Sequence, residues 1–333
     1  MESQKRYFRL FPDCVIVEGI KRTAIYDLKG RVFFIPEKFS PYISSLKISE
    51  GIDEDILKED PLLNDLCENL NLKGLGDWFT VDISKLFQDI DFNWESPYII
   101  TNAIIDIGQS RCEIWERFIK QLGEIRCPFI QIRILSHVDI DKLYKILKYV
   151  EKADVLSVQM LVPFSNEKNF LEEIDVFVSK NPRVAELILY NSKDSIDLRN
   201  ERITISQEEI INVDSCGQIG PSFFVPSVEF FSESKNFNSC LNRKISLTAD
   251  GYIKNCPSMK QNYGHIMETE IKDIVDSSKF KFWWNIKKDE INTCKSCEFR
   301  YMCSDCRAYI EDPNDPYSKP SKCSYNPKTL NWQ

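Results

Sequence analysis

The sequence predicts an α/β protein in three parts, and three observations lead to that expectation. Between Pro97 and Asn191, strand-like runs alternate with helix-like runs. Ahead of them lie short strand-like runs followed by a helical pattern. Behind them the chain turns loop-rich and gathers eight of its twelve cysteines.

The front part, residues 1–90, opens with RYFRLF, CVIVEG, TAIYDL and RVFFIP, the last two flanking a Lys29-Gly30 turn. β-Branched and aromatic runs bounded by Gly and Pro read as strands, and this pair as a hairpin. Residues 7–36 are expected to form one small sheet with an exposed edge. After Pro41 the spacing Ile52, Ile56, Leu62, Leu63, Leu66, Leu70 turns helical. The middle part, residues 91–215, reads YIITNAIIDI (strand), CEIWERFIKQLGEI (helix), FIQIRIL (strand), DIDKLYKILKYVEKA (helix), VLSVQMLVPF (strand), NEKNFLEEIDVFVSKN (helix) and VAELILYN (strand). Strands alternating with helices of this length make βαβ units and a parallel sheet. Four or five units fit, which is a partial (β/α) barrel rather than a closed one. The back part, residues 216–333, has little regular apolar periodicity beyond Phe280, Phe282, Trp283 and Trp284. A segment with so little core needs staples, which thiolate-bound metal supplies.

Composition excludes several classes. A hydrophobic share of 43% and a charged share of 28% describe an ordinary globular chain. The net charge of −8 argues against nucleic-acid binding. No run of 18 apolar residues is present, so no membrane span is expected. The opening MESQKRYFRLFPDCVIVEG does not read as a signal peptide, which makes the cytoplasm the expected compartment. Disulfides are rare there, so the cysteines need another explanation. No GxGxxG or GxxxxGK[ST] phosphate loop occurs. Neither His137 nor His265 stands in a triad or HExxH context, and Glu172–Glu173 reads as a solvated helix face.

The cysteines carry the functional signal. Cys14, Cys67, Cys112 and Cys127 are scattered and read mostly as small buried hydrophobes. Cys240 and Cys256 stand as C-x10-G-x4-C, with Gly251 in the turn. Cys294, Cys297, Cys303 and Cys306 form C-x2-C-x5-C-x2-C, with Cys323 following 17 residues later and Cys216 lying upstream. A C-x2-C pair lets two thiolates from one tight turn grip one metal. Chemistry alone leaves zinc and iron–sulfur clusters both open.

This pattern resembles the SPASM domain that ends many radical-SAM peptide maturases and holds two auxiliary [4Fe–4S] clusters. One spacing departs from the usual pattern: only Ser304 and Asp305 precede Cys306, where three residues are usual. The resemblance implies a first cluster on Cys240, Cys256 and Cys306, with Cys216 as fourth ligand. It implies a second on Cys294, Cys297, Cys303 and Cys323. The wider match, SCLNRKISLTADGYIKNCPSM and CEFRYMCSDCRAYIED, resembles the peptide maturases of grasp-with-spasm systems. Such a protein would act with an ATP-grasp peptide ligase on a ribosomally made precursor peptide; the alternative is a noncatalytic scaffold that presents the peptide, its iron–sulfur or zinc sites purely structural. The front part resembles winged-helix leader-recognition modules, where a leader peptide adds a strand to a sheet edge. The middle resembles a degenerate radical-SAM domain. The loop after its first strand, GQSRCEIWE, keeps only Cys112, and no C-x3-C-x2-C occurs anywhere. No S-adenosylmethionine cleavage is expected. Cys112→Ala should therefore leave iron content unchanged; loss of one cluster's worth would make Cys112 a ligand.

Overall fold

A computed structural model describes residues 5–48, 51–80, 89–194, 196, 199–208 and 216–333. The front part contains β1 (Tyr7–Leu10), β2 (Cys14–Glu18), β3 (Thr23–Asp27) and β4 (Arg31–Ile35). Strands β2, β3 and β4 form an antiparallel meander. Its β3–β4 hairpin closes where Gly30, at φ +118°, donates its N–H to Asp27 O at 2.9 Å. Residues 7–36 are not one sheet. Pro12 has no amide to continue a ladder, and Phe11 N–H turns away to Leu75 O. β1 instead pairs antiparallel with β5 (Ile52–Asp53) and β6 (Gly76–Phe79). Ile52, expected on a helix, is thereby drawn into a strand.

The helices of this part are α1 (Ile43–Leu46), α2 (Glu54–Glu59) and α3 (Pro61–Leu72). Asp60 caps α3, its carboxylate accepting from Leu62 N and Leu63 N, with Pro61 in the first turn. Leu63, Leu66, Cys67 and Leu70 then fall on one buried stripe. They share a core with Phe8, Ile25 and Ile35.

The central sheet runs β7 (Asn102–Ile107), α4 (Cys112–Glu124), β8 (Phe129–Ile134), α5 (Ile140–Lys152), β9 (Ser157–Pro163), α6 (Phe170–Lys180) and β10 (Val184–Tyr190). β11 (Ile203–Ile205) follows, with no helix between it and β10 among the described residues. Four or five helical units were expected. Three βαβ crossovers are present among the described residues, because no helix is described between Tyr190 and β11. Alternation sorts the strand faces. Ile105, Ile107, Ile132, Ile134, Met160, Val162, Leu187 and Leu189 are buried in one core with Trp115 and Phe118 of α4, Ile146 of α5 and Phe177 of α6.

The seven-stranded sheet reads β11-β10-β9-β8-β7-β12-β13. After α7 (Val228–Asn236), β12 (Lys244–Leu247) lies parallel beside β7, and β13 (Ile253–Lys254) turns back antiparallel. β12 and β13 come from the loop-rich back part, as do α8 (Ile271–Val275) and α9 (Ser278–Lys281). Leu241, Leu247, Ile266, Ile271, Phe280 and Trp284 join the central core, which therefore runs unbroken across residue 216. A short ladder of β14 (Tyr325–Asn326) and β15 (Asn331–Trp332) ends the chain. Among the described residues, no helix is long and apolar enough to cross a membrane.

The shared core has a measurable consequence. Leu247→Ala should cost about 2–5 kcal/mol, with the far-UV signal of α4–α6 unfolding in the same shifted denaturant transition. Leu72→Ala, at a side chain 83% exposed, should stay within about 0.5 kcal/mol. A separate early transition in Leu247→Ala would show that the back part folds by itself.

Candidate metal centres

The eight back-part cysteines are brought into two neighbourhoods. In the first, Cys216 and Cys256 share a hydrogen bond between their sulfurs, and Cys240 and Cys306 are electrostatic neighbours of this pair. Gly217 makes the approach possible. It adopts φ +75°, and a Cβ there would stand 2.8 Å from the Cys306 sulfur, closer than any side chain tolerates. Cys240 is set by Asn238, whose Oδ1 accepts from Cys240 N at 3.0 Å and Leu241 N at 2.9 Å. Cys256 follows β13. Lys244, the first residue of β12, places its ammonium 3.7 Å from the Cys240 sulfur. Burial works against that charge, but Cys240, Cys256 and Cys216 outweigh it and hold the lysine above its ordinary range. The sulfur–sulfur hydrogen bond depresses the Cys216 thiol and raises Cys256.

In the second neighbourhood, Cys294 and Cys297 bracket one 3-10 turn, with Cys297 N–H on Cys294 O at 2.9 Å. Cys303 and Cys323 face them. Here too a lysine enters: Lys288 is 3% exposed, with its Nζ 3.6 Å from the Cys303 sulfur and 3.3 Å from Ser304 O. Burial opposes its charge, and Cys303, Cys294 and Asp305 overcome that opposition. As free thiols, Cys294 and Cys306 are pushed up to about 11, chiefly by burial. A bound cation reverses that preference, because it stabilises the thiolate directly.

Asp305, fully buried, joins the two neighbourhoods. Its carboxylate accepts from Asn238 Nδ2 at 2.7 Å and Arg307 Nη2 at 2.6 Å, and Lys288 Nζ lies 3.9 Å away. Arg307 also donates to Pro316 O and Ser318 O, and Arg300 to Glu18 O and Cys297 O. Both arginines thus tie backbone together. Sequence reading missed Lys244, Lys288, Asn238 and Asp305. The available signal was a lysine four residues after Cys240 and another six before Cys294.

The donor chemistry fits a thiolate-ligated group: four thiols per neighbourhood, each with a cation beside it. Among the described residues, no three His, Cys, Asp or Glu side chains close to the spacing of a single metal ion. Tetrahedral zinc needs each sulfur about 2.3 Å from the ion. Of the remaining cysteines, Cys14, Cys67 and Cys127 are buried in apolar surroundings and pushed up to about 12. Cys112, half-buried, opens α4.

On the sheet face away from the helices, Arg133 of β8 grips Asp106 of β7 through two bonds, at 2.6 and 2.8 Å. Gln131, Gln159 and Glu186 form a hydrogen-bonded row across β8, β9 and β10. Cys256 and Cys216 help hold the Arg133 charge against its burial. His137 pairs with Glu167 at an exposed loop, and His265 contacts Asp250 O.

The front sheet docks on the second neighbourhood. Ile20 N–H donates to Ser296 O, and Tyr26 OH to Glu298 O. Glu298, fully buried next to Cys297, accepts from Arg22 Nε at 2.9 Å and Tyr325 OH at 2.6 Å. On its other face, β4 and α3 enclose a groove of about 470 Å³ lined by Val32, Phe33, Ile35, Leu66 and Leu70, with Lys38 and Lys73 also on its wall. β4 has β3 on one side and no strand on the other among the described residues.

No family model matches the chain, and no curated protein does. The crystal structure of Streptococcus suis SuiB bound to S-adenosylmethionine is 12% identical, covers 94% of this chain and 99% of its own, and gives a TM-score of 0.33. A second crystal structure of SuiB gives 11%, 95%, 99% and 0.34. Hexahistidine-tagged anSMEcpe with bound AdoMet is 9% identical over 66% of this chain and 90% of its own, with a TM-score of 0.37. Likenesses this loose carry neither fold nor activity across.

Asn238→Ala strips the acceptor from the Cys240 and Leu241 amides and the donor from Asp305. It should cost about 2–4 kcal/mol, read by urea unfolding. A loss under about 0.5 kcal/mol, the size of an ordinary surface change, would show that Asn238 does not hold the two neighbourhoods together.

Proposed function

We propose that the chain is a maturation factor for a ribosomally made peptide, carrying two [4Fe–4S] clusters and acting beside an ATP-grasp peptide ligase. The observation that carries the cluster assignment is the pair of four-cysteine neighbourhoods, each with its own lysine. Cys216, Cys240, Cys256 and Cys306 would hold the first cluster, and Cys294, Cys297, Cys303 and Cys323 the second. Bound there, the clusters would supply one-electron transfer and a covalent staple for the loop-rich segment. With four thiolates at each, neither offers an open iron to substrate. Lys244 and Lys288 offset the thiolate charge, and Asp305 fixes the two lysine-bearing segments relative to one another. Without a C-x3-C-x2-C run, the chain is not proposed to cleave S-adenosylmethionine.

The front part is proposed to take the precursor's leader as an added strand on the open edge of β4. An unpaired strand edge offers backbone donors and acceptors to any extended peptide. The groove between β4 and α3 would receive side chains from one face of that strand.

Anaerobically purified protein should be brown, with about eight iron and eight sulfide per chain. Cys306→Ala should remove about half the iron and leave the site containing Cys294 loaded. Colourless protein with stoichiometric zinc would overturn the cluster assignment. Iron lost mainly from the Cys294 site would overturn the partition of ligands.

A further inference from the structure

A second apolar pocket opens on the same edge of β4, on the opposite face of the sheet. Of about 520 Å³, it is lined by Arg22, Val32, Phe34, Phe224, Phe299 and Trp332. Phe34, on β4, is 42% exposed, and Trp332 37%. Phe34 meets Phe299 edge-on at 5.7 Å, and Phe224 stacks at 4.8 Å on Phe299 and 6.1 Å from Trp332. The Arg22 guanidinium lies 3.6 Å over the Phe34 ring with its charge already engaged by Glu298. The pocket is therefore an aromatic slot and not a carboxylate site. It belongs jointly to the front sheet and the chain's last third.

Strand geometry ties the two pockets together. A strand added to β4 would lie about 4.8 Å from it and send successive side chains to opposite faces. Residue i would enter the groove against Leu66 and Leu70, and residue i+1 the slot beside Phe224 and Trp332. Exposed Lys38 and Lys73 stand on the groove wall, and Arg31 at the start of β4 is also exposed. Lys38 is paired with Asp65 and Arg31 with Asp27, so among these cations it is Lys73, over the Phe33 ring, that favours a carboxylate beside the residue in the groove.

We infer that the occupant is an extended peptide read on both faces at once, by two adjacent large apolar residues, one in each pocket. This rests on the strand-addition reading above and adds a recognition element outside the front part.

The test uses the full chain and fluorescein-labelled synthetic peptides rich in glutamate and threonine. One carries adjacent leucine and phenylalanine, a second the same two separated by one threonine, and a third serine in both places. The adjacent pair should bind about tenfold tighter than the separated pair, which puts both side chains on one face. Trp332→Ala and Phe224→Ala should each erase that advantage while far-UV spectra stay unchanged. Hydrogen exchange of the amides of residues 31–35 should slow on binding. Slowed exchange without an adjacency advantage, or with an advantage indifferent to both substitutions, overturns the two-pocket inference and leaves strand addition standing. No slowing with any peptide overturns both.

Discussion

The constraint on which the rest depends is the buried carboxylate of Asp305. It sits between Cys303 and Cys306, two cysteines that face different neighbourhoods, and its partners come from both sides. A buried carboxylate without cations would be prohibitively costly, so Arg307 and Lys288 are obligatory company. Asn238 extends the network to the Cys240 turn and, through Ile286 O, to the segment leading into Cys294. Apart from Arg307 Nε, its members bond one another and nearby carbonyls, which gives a loop-rich segment the rigidity that an apolar core would otherwise provide.

The second organising contact is the seam between the first and last parts of the chain. Val17, Ala24 and Tyr26 are covered by Phe231, Phe299, Met302 and Tyr325. The front sheet thus has two apolar faces, one on its own helices and one on the cysteine-rich segment. Arg22 is the polar pin of that seam, paired to Glu298 and lying over Phe34. Losing Arg22 would leave the fully buried Glu298 without its cation, which costs up to about 3–5 kcal/mol.

Local patterns were legible in the sequence and long-range partners were not. The Lys29-Gly30 hairpin and the helix around Trp115 could be read because turn chemistry and periodicity act within a dozen residues. The cysteine spacing likewise pointed to paired thiolates. The division of β1 from β2 escaped, since four strand-like runs in succession suggest one sheet until β5 and β6 compete for β1. ISL reads as strand-like, but the pairing of β12 escaped for the same reason: its partner β7 lies over a hundred residues away, and nothing in KISL names that neighbour. The burial of Lys288 and Asp305 could not be read at all, because burial of a charge depends on partners that only the folded chain supplies.

The seam sets a timetable for the chain's birth. Tyr26 leaves the ribosome 272 residues ahead of Glu298, the residue whose carbonyl receives its hydroxyl. At ordinary synthesis rates that interval is about 15–50 s. Throughout it the meander of β2, β3 and β4 carries a naked apolar face and an open edge together, the combination most prone to pairing with a neighbouring nascent chain. That face is covered only once the last forty residues emerge.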